Sequence, residues 1–248
     1  MKTAVKHCVS SAYQIGTGGG VEGRRGLAPP PIRSRKKSMM TEDKEEITPV
    51  GKRQYKRGKE RRQDILTAVV MLLSNPKPER FTTKEIAALC GVSEACLYRH
   101  FSSKAEVLMS LIGFCETSVM TMFSELDAVE GLTYTQRATA KVRALLEFAE
   151  KNPGLTRLMT GEALVFEEDR VQQYMTHVIS KAETSVRQTL KLAVVNREIA
   201  PDTNVARCAE VYVSFVTGRW LRFSQSGFTK RPTEGWSFAE ALLSLTEL

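Results

Sequence analysis

TTKEIAALCGVSEACLYRHFSSKAEVL, residues 82–108, is the stretch whose reading decides the fold. Thr82 with Glu85 three positions on makes the pattern T-x-x-E, a capping box that satisfies backbone N–H groups at a helix start. Ile86, Ala87, Leu89 and Cys90 supply an apolar face, and Gly91, able to adopt positive φ, ends that helix. Ser93 then caps a very short helix from Glu94 to about His100. Ser103, with Glu106 as its box partner, opens the next one. Two helices joined by a four-residue turn around Gly91 have the spacing of a helix-turn-helix, whose second element lies in the DNA major groove.

Working upstream, KRQYKRGKERR (52–62) is a basic run that leads into Ile65, Leu66, Val69, Leu72 and Leu73 at helical spacing. SNPKPER (74–80) breaks that helix with two prolines. Residues 60–101 therefore read as a three-helix unit in which Val92, Leu97 and Phe101 face inward. Its outer face carries the chemistry. Ser93, Glu94 and Ala95, at the start of the short helix, point at base edges. Tyr98, His100 and Lys104 place a hydroxyl, an imidazole and an ammonium where phosphates pass, and Arg99 completes that set. Thr82 and Thr83 offer hydroxyls and amide groups to a further phosphate, and Arg57 and Arg61 extend the footprint from the basic arm. Each residue alone has a plainer explanation: packing for Tyr98, a surface position for His100, a cap for Ser103. Their order behind a basic arm favours DNA.

Charge placement agrees. The chain of 248 residues has a formal net charge of +8, and residues 1–62 hold 16 Lys/Arg against 6 Asp/Glu, leaving 20 against 22 for the remainder. A basic head on a slightly acidic body suits a polyanion bound at one end, since each Lys/Arg–phosphate contact releases condensed counterions. A solubilising tail would give the same asymmetry. The five cysteines show no CxxC pairing, so free thiols are expected and no metal or cofactor. No run of about 18 apolar residues suggests a membrane span, and no apolar segment at the start suggests a secretory signal. GxSxG, Walker A and HExxH are all missing, so the chain is not expected to be an enzyme. Glu167, Glu168 and Asp169 are adjacent acids that point to different helix faces.

Residues 1–50, with GTGGG, APPPI and RSRKK, offer no periodic apolar face and are expected to be a disordered extension. Met39 or Met40 could be the true translation start. Beyond 102 the pattern is helical to the end: about 103–129, 134–151, a start at Asn152-Pro153 with Asn as cap, breaks at Gly161 and Pro201, then helices near 167–196, 202–225 and 235–247. The expected fold class is all-α, with a DNA-binding domain over 51–102 and a helical dimerisation body over 103–248. Met159, Phe166, Tyr174, Phe215 and Trp220 could line a ligand cavity in that body, or simply fill its core.

The segment 82–108 resembles the TetR family of transcriptional regulators, with the turn glycine, capping serine, Tyr-Arg-His-Phe and Ser-Lys in register. Within that family EKNPGLTRLMTGEALVFEEDRVQ (150–172), RRQDIL (61–66) and FTKRPTEGW (228–236) are similar to the branch of nucleoid occlusion factors, and the likeness runs over about 52–248. It implies a homodimer that binds palindromic double-stranded DNA as a dimer of dimers and, when bound, antagonises assembly of the division protein FtsZ over the nucleoid, in the cytoplasm. By position it implies Phe114, Lys151 and Asn152 as FtsZ contacts, although a Phe on a core-facing helix is usually core. Met122 and Glu147 depart from the arginine and small residue expected there, and an acidic Glu147 would disfavour an acidic FtsZ tail. A small-molecule-responsive TetR-type repressor is the alternative, and an FtsZ-binding protein that does not bind DNA is a third reading.

Overall fold

The computed structural model describes residues 58–77 and 80–243. The N-terminal extension, the possible start at Met39 or Met40, Cys8, Arg57 and residues 244–248 lie outside them. The described residues form helices α1 (Gly58–Leu73), α2 (Thr83–Leu89), α3 (Glu94–Tyr98), α4 (Lys104–Asp127), α5 (Tyr134–Lys151), α6 (Pro153–Met159), a 3₁₀ turn (Glu162–Leu164), α7 (Asp169–Val195), α8 (Val205–Gln225) and α9 (Trp236–Leu243). The all-α expectation holds, and each expected helix falls within a few residues of its place.

The first three helices form the reader, packed around Ile65, Val69, Ile86, Leu97 and Phe101. The body follows. α7 packs on α4, α5 and α8, and α5 also packs on α8. Trp220 of α8 is buried among them, and its indole N–H donates to the Leu145 carbonyl at 3.1 Å, so a large ring is buried without a polar loss. The apolar cluster is continuous from the reader into the body, with Leu73, Ala105 and Leu155 among its members.

α6 is the joint. Gly154 lies so close to α1 that a Cβ there would stand 2.4 Å from the Val70 carbonyl oxygen and 2.6 Å from Ser74 Oγ. Only a glycine allows that approach. Three residues on, the guanidinium of Arg157, 2% exposed, donates through Nη1 to the carbonyls of Leu73 (2.7 Å) and Asn75. The last carbonyls of a helix lack intrahelical partners, and here a side chain of the body supplies them.

Two cap assignments need correction. Asn152 stands at the cap position before Pro153, but makes no side-chain cap bond to α6. Its amide instead turns back to donate to the Phe148 carbonyl at 2.8 Å, because two helix ends meet there and the orphan carbonyls of α5 are nearer. Ser103 does accept from the Glu106 amide at 3.2 Å. The Glu106 carboxylate, however, accepts from the amide and hydroxyl of Ser102, at 2.6 and 2.8 Å, drawn to that side by Arg62 at 3.5 Å. The Ser102 amide, then its hydroxyl, and Arg62 hold the Glu106 carboxyl below the usual carboxylate range.

From the sequence no membrane span is expected. α4 is long and apolar enough, by length and composition, to cross a membrane. In the fold it is a core helix, with Val107, Leu108, Leu111, Ile112, Cys115 and Phe123 buried, and its apolar character is used against α1, α5 and α7. Burial pushes the Cys115 thiol up to about 12, which leaves it an inert apolar filler.

Candidate nucleic-acid interface

The turn between α2 and α3 forms as its residues dictate. Thr82 and Glu85 make both bonds of the capping box, Gly91 takes φ +62°, and Ser93 Oγ accepts from the Cys96 amide at 3.2 Å. Each such cap contributes about 1 kcal/mol. With Leu97 and Phe101 anchored in the core, α3 presents Ser93, Glu94, Ala95, Tyr98 and Arg99 to solvent. Tyr98 is 49% exposed.

Three of the expected DNA residues meet. Thr83 Oγ1 donates to Glu94 Oε1 at 2.7 Å and lies 3.4 Å from the Tyr98 hydroxyl, so the outer faces of α2 and α3 are stitched together by polar groups. His100 is half-buried, and its carbonyl accepts from the Arg62 guanidinium, which also lies 3.9 Å over the Phe101 ring. Arg62 therefore fastens α1 to the end of α3. It stands in the same basic run as Arg61, but nothing local in the sequence separates the fastening arginine from its neighbour. Arg61 is half-buried and 3.5 Å from Asp64.

Lys104 departs most from expectation. Its ammonium is 2.6 Å from Glu167 Oε1 and 4.2 Å from the centre of the Phe81 ring, so a phosphate would have to compete with a body carboxylate 63 positions away in the chain. Lys84, exposed on α2 next to Thr83 in the chain, is a further cation of the reader that the sequence reading passed over. Its position within the motif was the available signal.

In the body Phe114 is half-buried, Lys151 is exposed at the end of α5, and Asn152 is buried. Glu147 is 2.8 Å from Arg143 one turn before it, and Met122 is core. The five residues suggested for a ligand cavity are not gathered in one. Met159 borders a hollow of about 200 Å³ with Met175 and Ile179, Phe166 borders a cleft of about 500 Å³ between reader and body, and Tyr174, Phe215 and Trp220 line neither.

A helix-turn-helix reader on a larger helical body is the architecture of a TetR-type DNA-binding regulator. Family models agree: one described as "Bacterial regulatory proteins, tetR family" matches residues 65–111, and one described as "Tetracyclin repressor-like, C-terminal domain" matches residues 133–245. Among solved structures, the fatty acid degradation regulator FadR from Bacillus halodurans aligns with a TM-score of 0.66 at 15% identity, covering 78% of this chain and 98% of that one. FadR from Bacillus subtilis, in complex with stearoyl-CoA, aligns at 0.62 and 13% identity, covering 75% and 98%. At such identities the likeness concerns the fold alone. Closer in sequence are curated proteins. Nucleoid occlusion factor SlmA of Idiomarina loihiensis is 38% identical over 177 residues, 71% of this chain and 90% of the relative. That of Escherichia coli is 39% identical over 175 residues, 70% and 88%. The chain belongs to the SlmA family of nucleoid occlusion factors.

Proposed function

We propose that the protein binds palindromic sites in chromosomal DNA as a dimer, further paired on the duplex into a dimer of dimers, and in that state antagonises FtsZ assembly over the nucleoid of a bacterial cytoplasm. The observation that carries the reading is the outer face of α3, exposed and pre-formed by two caps, on a chain 38% identical to a SlmA over 90% of that protein's length. Ser93, Glu94 and Ala95 would read bases. Thr82, Thr83, Tyr98, Arg99 and His100 would hold phosphates together with Arg57 and Arg61, and Lys104 would join them by exchanging Glu167 for a phosphate.

Dimerisation would use α7 and α8, the pair of helices with the most extensive mutual packing, which leave Leu192, Val195, Val211 and Leu221 exposed for a partner. FtsZ would dock at Phe114 and Lys151. Asn152, buried, would support that site by holding the end of α5 rather than by touching FtsZ. Pairing with Arg143 neutralises Glu147, so that residue need not repel an acidic tail. DNA would act by gathering several weak FtsZ surfaces on one molecule.

The test follows FtsZ polymerisation with GTP by light scattering, with this protein and either a palindromic duplex selected on it or a scrambled one. Loss of polymer with the selected duplex alone is expected. Polymer that persists while the selected duplex binds tightly would overturn FtsZ antagonism and leave a TetR-type repressor.

A further inference from the structure

The cleft of about 500 Å³ between reader and body has a lining that, apart from Thr82 and Lys104, the DNA and FtsZ roles do not use. Arg80, Phe81 and Thr82 line it from the reader, and Lys104, Arg157 and Phe166 line it from beyond the reader. Its volume is in the range of small-molecule sites.

Three cations and two carboxylates face it. Lys104 and Glu167 neutralise each other at 2.6 Å, and the Glu162 carboxylate accepts from Ser224 Oγ. Arg80 makes no ion pair among the described residues; its guanidinium lies 3.6 Å above the Phe166 ring, and Phe166 is 75% exposed. Arg157, which lines the cleft, spends Nη1 on the carbonyls of Leu73 and Asn75 and lies 4.6 Å over the Phe228 ring, while its buried Nε and Nη2 have no hydrogen-bond partner. Glu162 approaches Nε only to 3.8 Å. A buried guanidinium with two idle donors is costly unless something accepts from it, and its planar fork matches a carboxylate or phosphate.

We propose that this cleft binds a small organic anion bearing an aromatic or other flat apolar group. The anionic head meets Arg157 and Arg80, and the apolar part lies against Phe81 and Phe166. Because Thr82 belongs both to the cleft wall and to the phosphate-facing start of α2, a bound anion places negative charge where the DNA backbone approaches and weakens DNA binding. The proposal does not depend on FtsZ.

Benzoate and phenyl phosphate are titrated into the full-length protein by calorimetry, with benzamide and inorganic phosphate as neutral and headgroup-only controls. Saturable binding of benzoate or phenyl phosphate is expected, roughly tenfold tighter than either control and weakened roughly tenfold by Arg80→Ala and by Phe166→Ala. Both of those residues are exposed, so the variants keep the fold. No saturation by either probe below about 10 mM would overturn the site. So would binding indifferent to both substitutions, and inorganic phosphate binding equally well would remove the apolar half of the assignment. In a fluorescence-anisotropy titration of the selected duplex, saturating probe is expected to weaken DNA binding roughly fivefold. An unchanged DNA affinity would overturn the coupling.

Discussion

Substituting Asp127, a half-exposed residue, should cost more stability than removing the buried charge it faces. Lys141 of α5 is 1% exposed, yet carries an ammonium 2.7 Å from Asp127 Oδ2, 2.8 Å from Thr189 Oγ1 and 3.2 Å from Ser185 Oγ. The Asp127 side chain is 47% exposed. Asp127→Asn leaves the ammonium buried without its counter-charge. Breaking a buried pair in this way costs about 3–5 kcal/mol, and the two remaining hydroxyl acceptors bring the expectation to about 2–3 kcal/mol. Lys141→Met keeps the apolar stem, deletes the buried charge and lets Asp127 hydrate, so its expected cost is about 0–1.5 kcal/mol. At about 2–4 °C per kcal/mol for a chain of this size, Asp127→Asn should lower Tm by about 4–12 °C and Lys141→Met by at most about 6 °C. Both are read by circular dichroism at one protein concentration, since the proposed dimerisation would make Tm concentration-dependent. Lys141→Met destabilising as much as Asp127→Asn would refute the reasoning. The pH dependence gives a second check. Burial, outweighing Asp127, holds the Lys141 pKa below the ordinary 10.5. In the window just below 10.5 the unfolded chain binds more protons than the folded one, so stability rises with pH there. The wild type should therefore gain on Lys141→Met as pH approaches 10.5, and hold a constant difference near neutrality.

Other outcomes follow from the joint and the reader. Gly154→Ala should cost at least about 2–3 kcal/mol, because backbone and not a movable side-chain tip blocks the added Cβ; a melting temperature within a degree of wild type would contradict the close approach. Arg99→Ala should reduce the magnitude of the salt slope of DNA binding by about 0.9, seen in duplex titrations at several salt concentrations; an unchanged slope removes Arg99 from the phosphate contacts. Substitution of Glu94 should relax base preference, and equal losses on selected and scrambled duplexes would argue against a base-reading role. Phe114→Ala and Lys151→Glu should abolish FtsZ antagonism at unchanged DNA affinity, whereas Asn152→Ala should also cost about 1 kcal/mol of stability through the orphaned Phe148 carbonyl, seen as a lower Tm.

The reader was legible in the sequence because its information is local. Capping serines and threonines, the glycine of the turn and the apolar spacing all act within four residues of where they stand, and caps written as T-x-x-E or S-x-x follow from backbone geometry alone. What stayed hidden acts across the chain. Lys104 meets Glu167, Arg157 meets the end of α1, and Lys141 finds Ser185 and Thr189 on another helix. No periodicity encodes such pairings, and a lysine in a helix pattern gives no sign that it will be buried. Asn152 shows the intermediate case: its position at a helix junction was readable, but which of two helix ends its amide would serve depended on which lay nearer.

The joint at α6 has a further consequence for how the chain can be divided. A boundary near 102 separates reader from body along the sequence, but the last carbonyl of α1, that of Leu73, is completed by Arg157, and Gly154 gives α1 a backbone-to-backbone seat. A fragment cut at that boundary would keep its turn and its caps while losing the partner that finishes its first helix. The reader is thus a borrowed fold, made whole by the body that carries it, and any force that tilts α6 is delivered directly to the helix that carries the basic arm.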